Sequence, residues 1–492
     1  MPGLTSSMNI GLTGLRASQS ALNVIGHNIA NINTPGYSRQ RVNLQTGIPE
    51  AFGNLRFGSG VGFASIMSVR DRFLDLQITQ SIGRQHGSNA RYEGVQGVSA
   101  FFTETGEGGL NLQIQRFFEG FQELSLRPED LTVRTNLVAR AQSMITGMQS
   151  RYQMIQQGRS KEDATVVGLT EEVNTLTSQI AELNKRIAQE PTPGSENDAR
   201  DQRKALLDKL AEKVGITVYE DSLGQSMVSL DSGAAVLVSG ATAYKMETVP
   251  DPLNNAFSRV YVTLSGSLPI DVTDQIQDGR MGAALDLRDR VLLGYQRQLD
   301  QLGAGIVQNV NQVHRAGFSL SGATGNDFFL ANVGNNGLGL PVTVSAANNY
   351  QGMVSAMAIN GAIAANPGLV AAASVAGAPG NNTQATAMAS LYNALNTVDT
   401  NGDGVGDSGP FSTVFGNLAN TIGVDVQRFS VTGQTAENLV VALQNQRDRI
   451  SGVDLDEEAT TLIAYQRGYQ ASSRFINVIN QLTDQLVNQF GR

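Results

Sequence analysis

The chain has 492 residues, more than the roughly 250 to 300 at which one hydrophobic core stops growing, so two to four domains are expected. Its formal net charge is -9 and its lysines and arginines are scattered, which argues against nucleic acid and anionic membranes as partners. The absence of cysteine excludes disulfides, thiolate metal ligands and thiol nucleophiles.

The first residues do not resemble a secretory signal. No basic side chain precedes Arg16, and no apolar core of a signal peptide follows. No run of about 20 apolar residues could cross a bilayer, so no membrane insertion is expected. These features fit a cytoplasmic protein and equally a protein exported without a cleaved signal.

A helix is predicted from about Ser7 to Asn31. Its seam consists of apolar residues that recur every seven positions: Leu15, Leu22 and Ile29. The helix should end at a sharp corner, because Pro35 suits the second position of a type II turn. Gly36 would take the third position, which requires a positive φ.

Regular apolar stripes in the middle of the chain predict a helical bundle. One stripe runs from Leu137 to Ile155, a second from Val166 to Ile187, and a third from Leu285 to Val313. Helices with such stripes bury them by packing as near-antiparallel neighbours. An ordinary helical bundle accounts for these stripes without any further function.

Two stretches interrupt the helical pattern. Residues 216–278 alternate short β-rich runs with turns, which predicts a small β-rich insert. Residues 319–430 are rich in Gly, Ala and Asn and lack a packing period, which predicts a loosely structured outer insert.

The outer insert contains one pattern that is typical of a calcium loop. Oxygen donors alternate and a glycine follows the third of them; the donors are Asp399, Asn401, Asp403 and Asp407. Pro410 stands where a bidentate glutamate would close the loop, so a metal-free turn is favoured. A calcium-binding secreted module remains the alternative, which calorimetry with and without a chelator would test.

The C-terminal helix has two seams. Leu462, Tyr469 and Ile476 form the first, and Tyr465, Ile479 and Leu486 form a second one, which Ser472 interrupts. Asp454 and Glu457 precede them in a capping-box-like arrangement. The spacing leaves open whether the terminal helices pair with each other, with neighbouring subunits, or with both.

No catalytic constellation is visible in the sequence. His27, His86 and His314 have no metal-ligand spacing, and there is no phosphate-binding loop or nucleophile elbow. The sequence therefore predicts a protein that is not an enzyme and has no cofactor. A hydrolase acting on a glycan or peptide is the enzyme alternative, which a hydrolysis screen would test.

Both chain ends resemble those of flagellar axial proteins. Residues 21–37 (ALNVIGHNIANINTPGY) are similar to the N-terminal signature shared by rod, hook and hook-associated proteins. Residues 451–458 (SGVDLDEE), with residues 469–472 (YQAS), resemble the C-terminus of the hook-associated protein 1 family. Internal matches at 178–184, 201–203, 285–289 and 314–317 extend the resemblance over most of the chain.

The resemblance implies a structural subunit that joins the hook to the filament outside the cell. It implies export by the flagellum's own type III apparatus and a cytoplasmic export chaperone. It also implies assembly into a ring-like homo-oligomer that contacts hook protein, a second junction protein and filament. Another axial protein, hook-like or rod-like, is the alternative within the resemblance.

Pattern and resemblance together predict an elongated α+β protein of several domains. Terminal coiled-coil helices, from residues 1–60 and 452–492, would pair, and the resemblance implies that they form an inner tube. A helical bundle would comprise residues 61–215, 279–318 and 431–451. The two inserts, at 216–278 and 319–430, would form the outer surface.

Overall fold

A computed structural model describes most of the chain. It covers residues 2–34, 36–52, 55–103, 108–189, 196–330, 333–335, 341–343, 350–398 and 407–490. Long helices dominate, several small antiparallel sheets accompany them, and the molecule is elongated, which confirms the α+β class.

The two chain ends lie side by side. Helix α1 spans Pro2–Ala30 and helix α12 spans Leu455–Phe490. A β-hairpin of β1 (Gln40–Thr46) and β4 (Val61–Ser68) packs along α1. A short extension, β2 (Glu50–Phe52) and β3 (Leu55–Phe57), continues this hairpin. The sequence therefore located both terminal helices, although α1 begins five residues before Ser7.

Long helices form the centre. They are α2 (Arg72–Ser99), α3 (Leu110–Leu126), α4 (Leu131–Gln189), α5 (Asn197–Lys213), α6 (Gly279–Asp286), α7 (Leu292–Arg315) and α11 (Phe411–Ser451). The two apolar stripes predicted at 137–155 and 166–187 belong to one 59-residue helix, α4. A π-helical segment, Leu287–Val291, joins α6 to α7.

Strands form two sheets between α5 and α6. One contains β5 (Ile216–Glu220), β6 (Ser226–Leu230), β7 (Val236–Ser239) and β8 (Thr242–Ala243). The other contains β9 (Lys245–Pro250), β10 (Ser258–Thr263) and β11 (Ile270–Asp271). Their apolar faces share a core with α2, α4, α5 and α6. The strands fall within the range that the sequence marks as β-rich.

The region after α7 is better packed than the sequence suggests. Its described elements are β12 (Phe329–Leu330), β13 (Val333–Asn335), β14 (Pro341–Thr343), α8 (Met353–Ala356), β15 (Ala358–Ile359), α9 (Gly361–Ala365), α10 (Thr383–Ser390), β16 (Asn396–Val398) and β17 (Asp407–Gly409). Phe328, Val354, Ile363 and Met388 are fully buried in the main helical core. The expectation of a loosely structured insert is therefore wrong for these segments.

Helix α11 also corrects the limit of that insert. It begins at Phe411, about 20 residues before the end of the predicted 319–430 range. Its first turns carry apolar residues at helical spacing, and Phe411, Phe415 and Ile422 are buried in the same core. Glycine and asparagine residues lie between these apolar positions, so the composition of this stretch did not indicate a helix.

His314 holds part of the outer region against α7. Its side chain is buried, its Nδ1–H donates to the carbonyl of Asn326 at 2.8 Å, and its Nε2 accepts the Ala371 N–H at 2.9 Å. Burial lowers the pKa of His314, an effect to which Arg134 adds and which Asp327 partly opposes. Only the neutral ring can accept the Ala371 N–H.

Acid should therefore weaken this attachment. The unfolded chain takes up the His314 proton first, so stability falls as pH drops below about 6.5 and levels off below the folded-state pKa. At pH 7.5, His314→Gln should cost about 1–3 kcal/mol through lost hydrogen bonds. Urea unfolding should show this cost shrinking at pH 5.5, and a cost that does not change with pH would refute the assignment.

Candidate subunit-assembly site

Small residues allow α1 and α12 to pack closely. A Cβ atom at Gly11 would lie 2.8 Å from Ile476 Cγ1, and one at Gly14 would lie 3.0 Å from Ser472 Oγ. A Cβ at Gly468 would lie 3.3 Å from Ser18 Oγ. Residues further along α1 therefore contact residues progressively nearer the start of α12. The pair is antiparallel, and its contact line runs through glycine and serine residues and Ile476.

Most of the seam residues predicted from sequence flank this contact line, whereas Ile476 lies on it, against Gly11. Leu15, Leu22 and Ile29 of α1 are half-buried, while the residues that α1 buries include Ala17, Ala21, Val24 and Ile25. On α12, Ile479 is buried, Leu462, Ile476 and Leu486 are half-buried, and Tyr469 is 37% exposed. The heptad pattern found the helices but marked mainly a flank of the pair, because the small residues at its centre are weak signals in an apolar pattern.

The corner after α1 has the geometry of its predicted turn at every described position. Gly36 has a φ of +82°, and the Tyr37 N–H donates to the Thr34 carbonyl at 3.2 Å. Pro35 lies outside the described residues. A turn that closes between residues 34 and 37 sends the chain from α1 into β1.

Replacing Gly36 with Val should strain this corner without any clash, because no atom lies near the position of an added Cβ. A β-branched residue at positive φ costs about 1–3 kcal/mol. We expect faster amide exchange at residues 36–40 and impaired assembly, with unchanged unfolding of the centre. Gly26→Ala is the control, since a Cβ there also meets open space but at a helical position. Normal exchange and assembly in Gly36→Val would contradict this prediction.

Asn28 is the polar centre of the terminal region. Its buried side chain accepts hydrogen bonds from Tyr37 Oη (2.8 Å) and the Gln40 N–H (3.0 Å). It donates to the Gln40 carbonyl at 2.9 Å and to Glu458 at 3.2 Å. Burial, reinforced by Asp198, raises the pKa of Tyr37 far above its usual range, so its hydroxyl remains a donor. One asparagine thereby ties α1, the corner, β1 and α12 together.

Arginine side chains also join the corner and the start of β1 to α11 and α12. Arg447, near the end of α11, donates to the carbonyls of Gly36 (2.7 Å) and Tyr37 (2.9 Å). Arg39, which directly precedes β1, and Arg41 of β1 both bond the Glu457 carboxylate, and the hydrogen bond from Arg39 lowers the pKa of Glu457.

The acidic start of α12 therefore does more than cap a helix. Asp454 accepts the N–H groups of Asp456 and Glu457 as expected for a capping residue. Glu457, however, points to β1 instead of closing a capping box, and its partners lie over 400 residues away in sequence. Contacts between residues so far apart leave no local pattern in the sequence, so the sequence alone did not identify Asn28, Arg39 and Arg447 as functional residues.

The terminal region rests on α5. The Ser38 N–H donates to Asp201 at 3.0 Å, and Gln40 Nε2 donates to Asp198 at 3.0 Å. A cleft of about 720 Å³ lies beneath the corner, lined by residues of the corner, α2, α5 and the end of α11. Its lining mixes apolar, acidic and basic groups without a catalytic arrangement.

The structure identifies no metal centre in its described part. No three His, Asp or Glu side chains there are grouped to hold a metal ion. Asp399, Asn401 and Asp403 of the calcium-like loop lie outside the described residues, as does the side chain of Asp407, which begins β17. Among the helices described, none is long and apolar enough to cross a membrane.

Comparisons with known proteins agree with this arrangement. Residues 95–329 match the family model described as the flagellar hook-associated protein FlgK helical domain. The ends match two further models, flagella basal body rod protein (8–37) and flagellar basal body rod FlgEFG protein C-terminal (444–489). Along nearly its whole length the chain is similar to proteins of the flagellar hook-associated protein 1 family.

Relatives in this family match along nearly the whole chain. The Escherichia coli flagellar hook-associated protein 1 is 26% identical, covering 99% of this chain and 100% of the relative. The Bacillus subtilis protein is also 26% identical, covering 97% and 96%. The solved flagellar hook junction protein FlgK from Burkholderia pseudomallei superimposes with a TM-score of 0.65 at 16% identity, covering 76% of this chain and all of that one. That likeness supports the fold alone.

Proposed function

We propose that this chain is the structural subunit that joins hook to filament in the bacterial flagellum. The observation that carries the mechanism is the chemistry of the paired ends. Arg16 is the only Lys, Arg, Asp or Glu in α1, and beyond Glu458 helix α12 contains only Arg467, Arg474 and Asp484. Water-exposed helices usually carry far more charge, so these faces suit burial against other subunits.

Exposed apolar side chains support the same proposal. Ile463, Phe475, Val478, Leu482 and Val487 of α12 are all between 42% and 55% exposed. A helix pair that leaves so many large apolar groups in water gains free energy when neighbours cover them. The partners proposed for this surface are further copies of the chain, hook protein, a second junction protein and filament. A cytoplasmic chaperone would cover it before export to the extracellular junction.

A deletion strain tests the proposal. Cells without this chain should keep hooks but shed filament subunits into the medium, and a plasmid copy should restore filaments. Asn28→Ala should restore them poorly, since it removes four hydrogen bonds that join both chain ends. Asn23→Ala is the control, because Asn23 is exposed on the same helix. Continued filament growth in the deletion strain would reject the junction function.

A further inference from the structure

Strand β4 has one edge that no other strand covers. Among the described residues β4 pairs only with β1, so the edge of β4 that faces away from β1 is open. We propose that this open edge is a docking site for an extended, acidic peptide segment of another protein, which adds to the β1–β4 hairpin as a third strand. The inference goes beyond the proposed function and does not depend on it.

Hydrogen bonds show which backbone groups of β4 the hairpin does not use. Gln40 of β1 lies opposite Ser68, and the N–H and C=O of Gln40 both bond the Asn28 side chain. The Gln40–Ser68 pair therefore exchanges no hydrogen bonds, and the N–H and C=O of Ser68 point away from β1. Ile66, two residues earlier, has the same orientation, since its carbonyl accepts a hydrogen bond from Asn197 of α5 at 3.2 Å.

The side chain of Ser68 also lacks a partner at this edge. Its hydroxyl oxygen is buried and has no hydrogen-bond partner in the described part of the chain. Most buried polar groups in proteins are hydrogen-bonded, and a hydroxyl can both donate and accept. An added strand would therefore find three polar groups of one residue, the N–H, the C=O and the hydroxyl of Ser68, available for hydrogen bonds.

The open edge borders a cleft of about 610 Å³. Residues 65–68 of β4 line one part of this cleft, residues 218–220 of β5 line another, and α2 and α5 supply most of the rest. Strand β5 is also an edge strand, since among the described residues it pairs only with β6. An extended strand of four residues spans about 13 Å, so the edge of β4 in this cleft can pair with a segment of about four residues.

Large apolar side chains in the lining of the cleft are exposed to water. Met67, Phe73 and Tyr219 are 55%, 68% and 64% exposed, and all three line the cleft. Exposed apolar groups that lie together often mark a protein-binding site. In strand addition the backbone supplies hydrogen bonds while alternate side chains of the peptide contact such groups. The partner segment should therefore carry apolar residues at alternate positions.

The charge of the cleft selects an acidic partner. The chain has a net charge of -9, but basic side chains outnumber acidic ones in the cleft. The basic side chains are Arg70, Arg72, Arg200, Arg203 and Lys204, and the acidic ones are Asp75, Glu196 and Glu220. Arg72 is the most exposed of the basic groups, and its Nε lies 3.8 Å from the Glu220 carboxylate, beyond hydrogen-bond distance. Its guanidinium can therefore bind a carboxylate of the partner.

Fluorescence anisotropy with the full-length chain tests the proposal. The probe is a fluorescein-labelled peptide in which valine alternates with glutamate and threonine, and a comparison peptide has lysine in place of each glutamate. We expect the acidic peptide to bind and the basic peptide to bind at least about tenfold more weakly, because only the acidic one complements the charge of the cleft.

Two pairs of variants locate the contact. Ser68→Pro removes an N–H that the hairpin does not use and should weaken binding about tenfold, whereas Ser68→Ala keeps that N–H and should bind more tightly than Ser68→Pro. Arg72→Glu should weaken binding of the acidic peptide and strengthen binding of the basic one. Arg127→Glu is its control, because Arg127 is similarly exposed, at the turn between α3 and α4, and does not line the cleft.

Amide exchange of the unaltered chain gives a readout that needs no variant, and adding the acidic peptide should slow exchange at residues 65–68. No binding of the acidic peptide at millimolar concentration, equal binding of both peptides, undiminished binding by a folded Ser68→Pro chain, or unchanged exchange at residues 65–68 would each overturn strand addition. Self-association of the chain that Ser68→Pro abolishes in sedimentation would make a second copy the occupant and also overturn it. None of these results changes the deletion phenotype, which tests the proposed function separately.

Discussion

Replacing Arg288 with Leu should destabilise the centre of the molecule by about 3–5 kcal/mol, because the change removes a buried charge from a network of partners. Arg288 is 1% exposed and donates to Asp163 at 2.7 Å and to the Ser258 carbonyl at 2.8 Å. It also pairs with Asp289. Asp163 lies on α4 and Ser258 on β10, so this side chain fastens the sheets to the helices.

A second arginine makes the arrangement cooperative. Arg159 is fully buried and donates its Nε–H to the Arg288 carbonyl at 2.8 Å and a terminal N–H to Gln296 at 3.0 Å. Both guanidinium groups lie over the ring of Phe257, with that of Arg159 4.9 Å and that of Arg288 5.6 Å from the ring centroid. Loss of Arg288 therefore leaves the Asp163 carboxylate without its cationic partner.

Arg290→Leu is a matched control for this prediction. Arg290 stands two residues away in the same π-helical segment and also pairs with an aspartate, Asp286, but its side chain is 78% exposed. Exposed ion pairs contribute about 0–1 kcal/mol, so this variant should unfold nearly as the parent does. Urea unfolding followed by circular dichroism would measure both changes. Equal midpoints for the two variants would show that the buried network does not hold the sheets.

The amino-acid sequence predicts most of the helices because their signals are local. Seven-residue spacing located α4, α7, α1 and α12, and alternating short runs located the sheets after α5. The turn at Gly36 was also predictable, since only one residue type adopts positive φ without strain. The spacing of apolar residues did not predict contacts that small residues make, such as those at Gly11 and Gly14, because glycine does not count as apolar in such a pattern.

The spacing of residues in the sequence could not predict polar contacts between residues that lie far apart in the chain. Asn28 meets Glu458 across 430 residues of sequence, and Arg159 meets Arg288 across 129. Nothing in either local segment indicates its partner, because an isolated asparagine or arginine in a helix is usually a solvated residue. The resemblance of residues 21–37 to a family signature marked Asn28 and Tyr37 without explaining them. The hydrogen bond from Tyr37 to Asn28, at 2.8 Å, gives a physical reason for these two residue types in that segment.

Removing α1 and most of α12 should abolish incorporation into the flagellum and leave the centre of the molecule folded. The reason is the separation of the cores: neither of the two large buried apolar clusters contains a residue of α1 or α12. A chain without residues 1–40 and 468–492 should therefore keep a thermal unfolding midpoint close to that of the centre in the full chain.

The same separation predicts that the ends order largely on assembly. Glycine and serine take several positions along the α1–α12 contact line, which limits the apolar area that it buries, and large apolar side chains of α12 stay in water. A long helix without packing partners is only marginally stable in water. Ends that become ordered only on contact with neighbouring subunits would also keep the monomer soluble and able to pass through a narrow export channel.

Limited proteolysis of the free protein measures this order directly. Residues 2–30 and 459–490 should be cleaved well before residues 163–189 of α4, whose apolar face is buried in the central core. Incorporation of the truncated chain would be followed by immunodetection in isolated flagella, with the Arg290→Leu chain as a full-length control. Termini that resist cleavage as well as α4 does would show that the ends are already folded in the monomer. The assembly step would then have to proceed by docking of preformed surfaces, without any ordering of the chain.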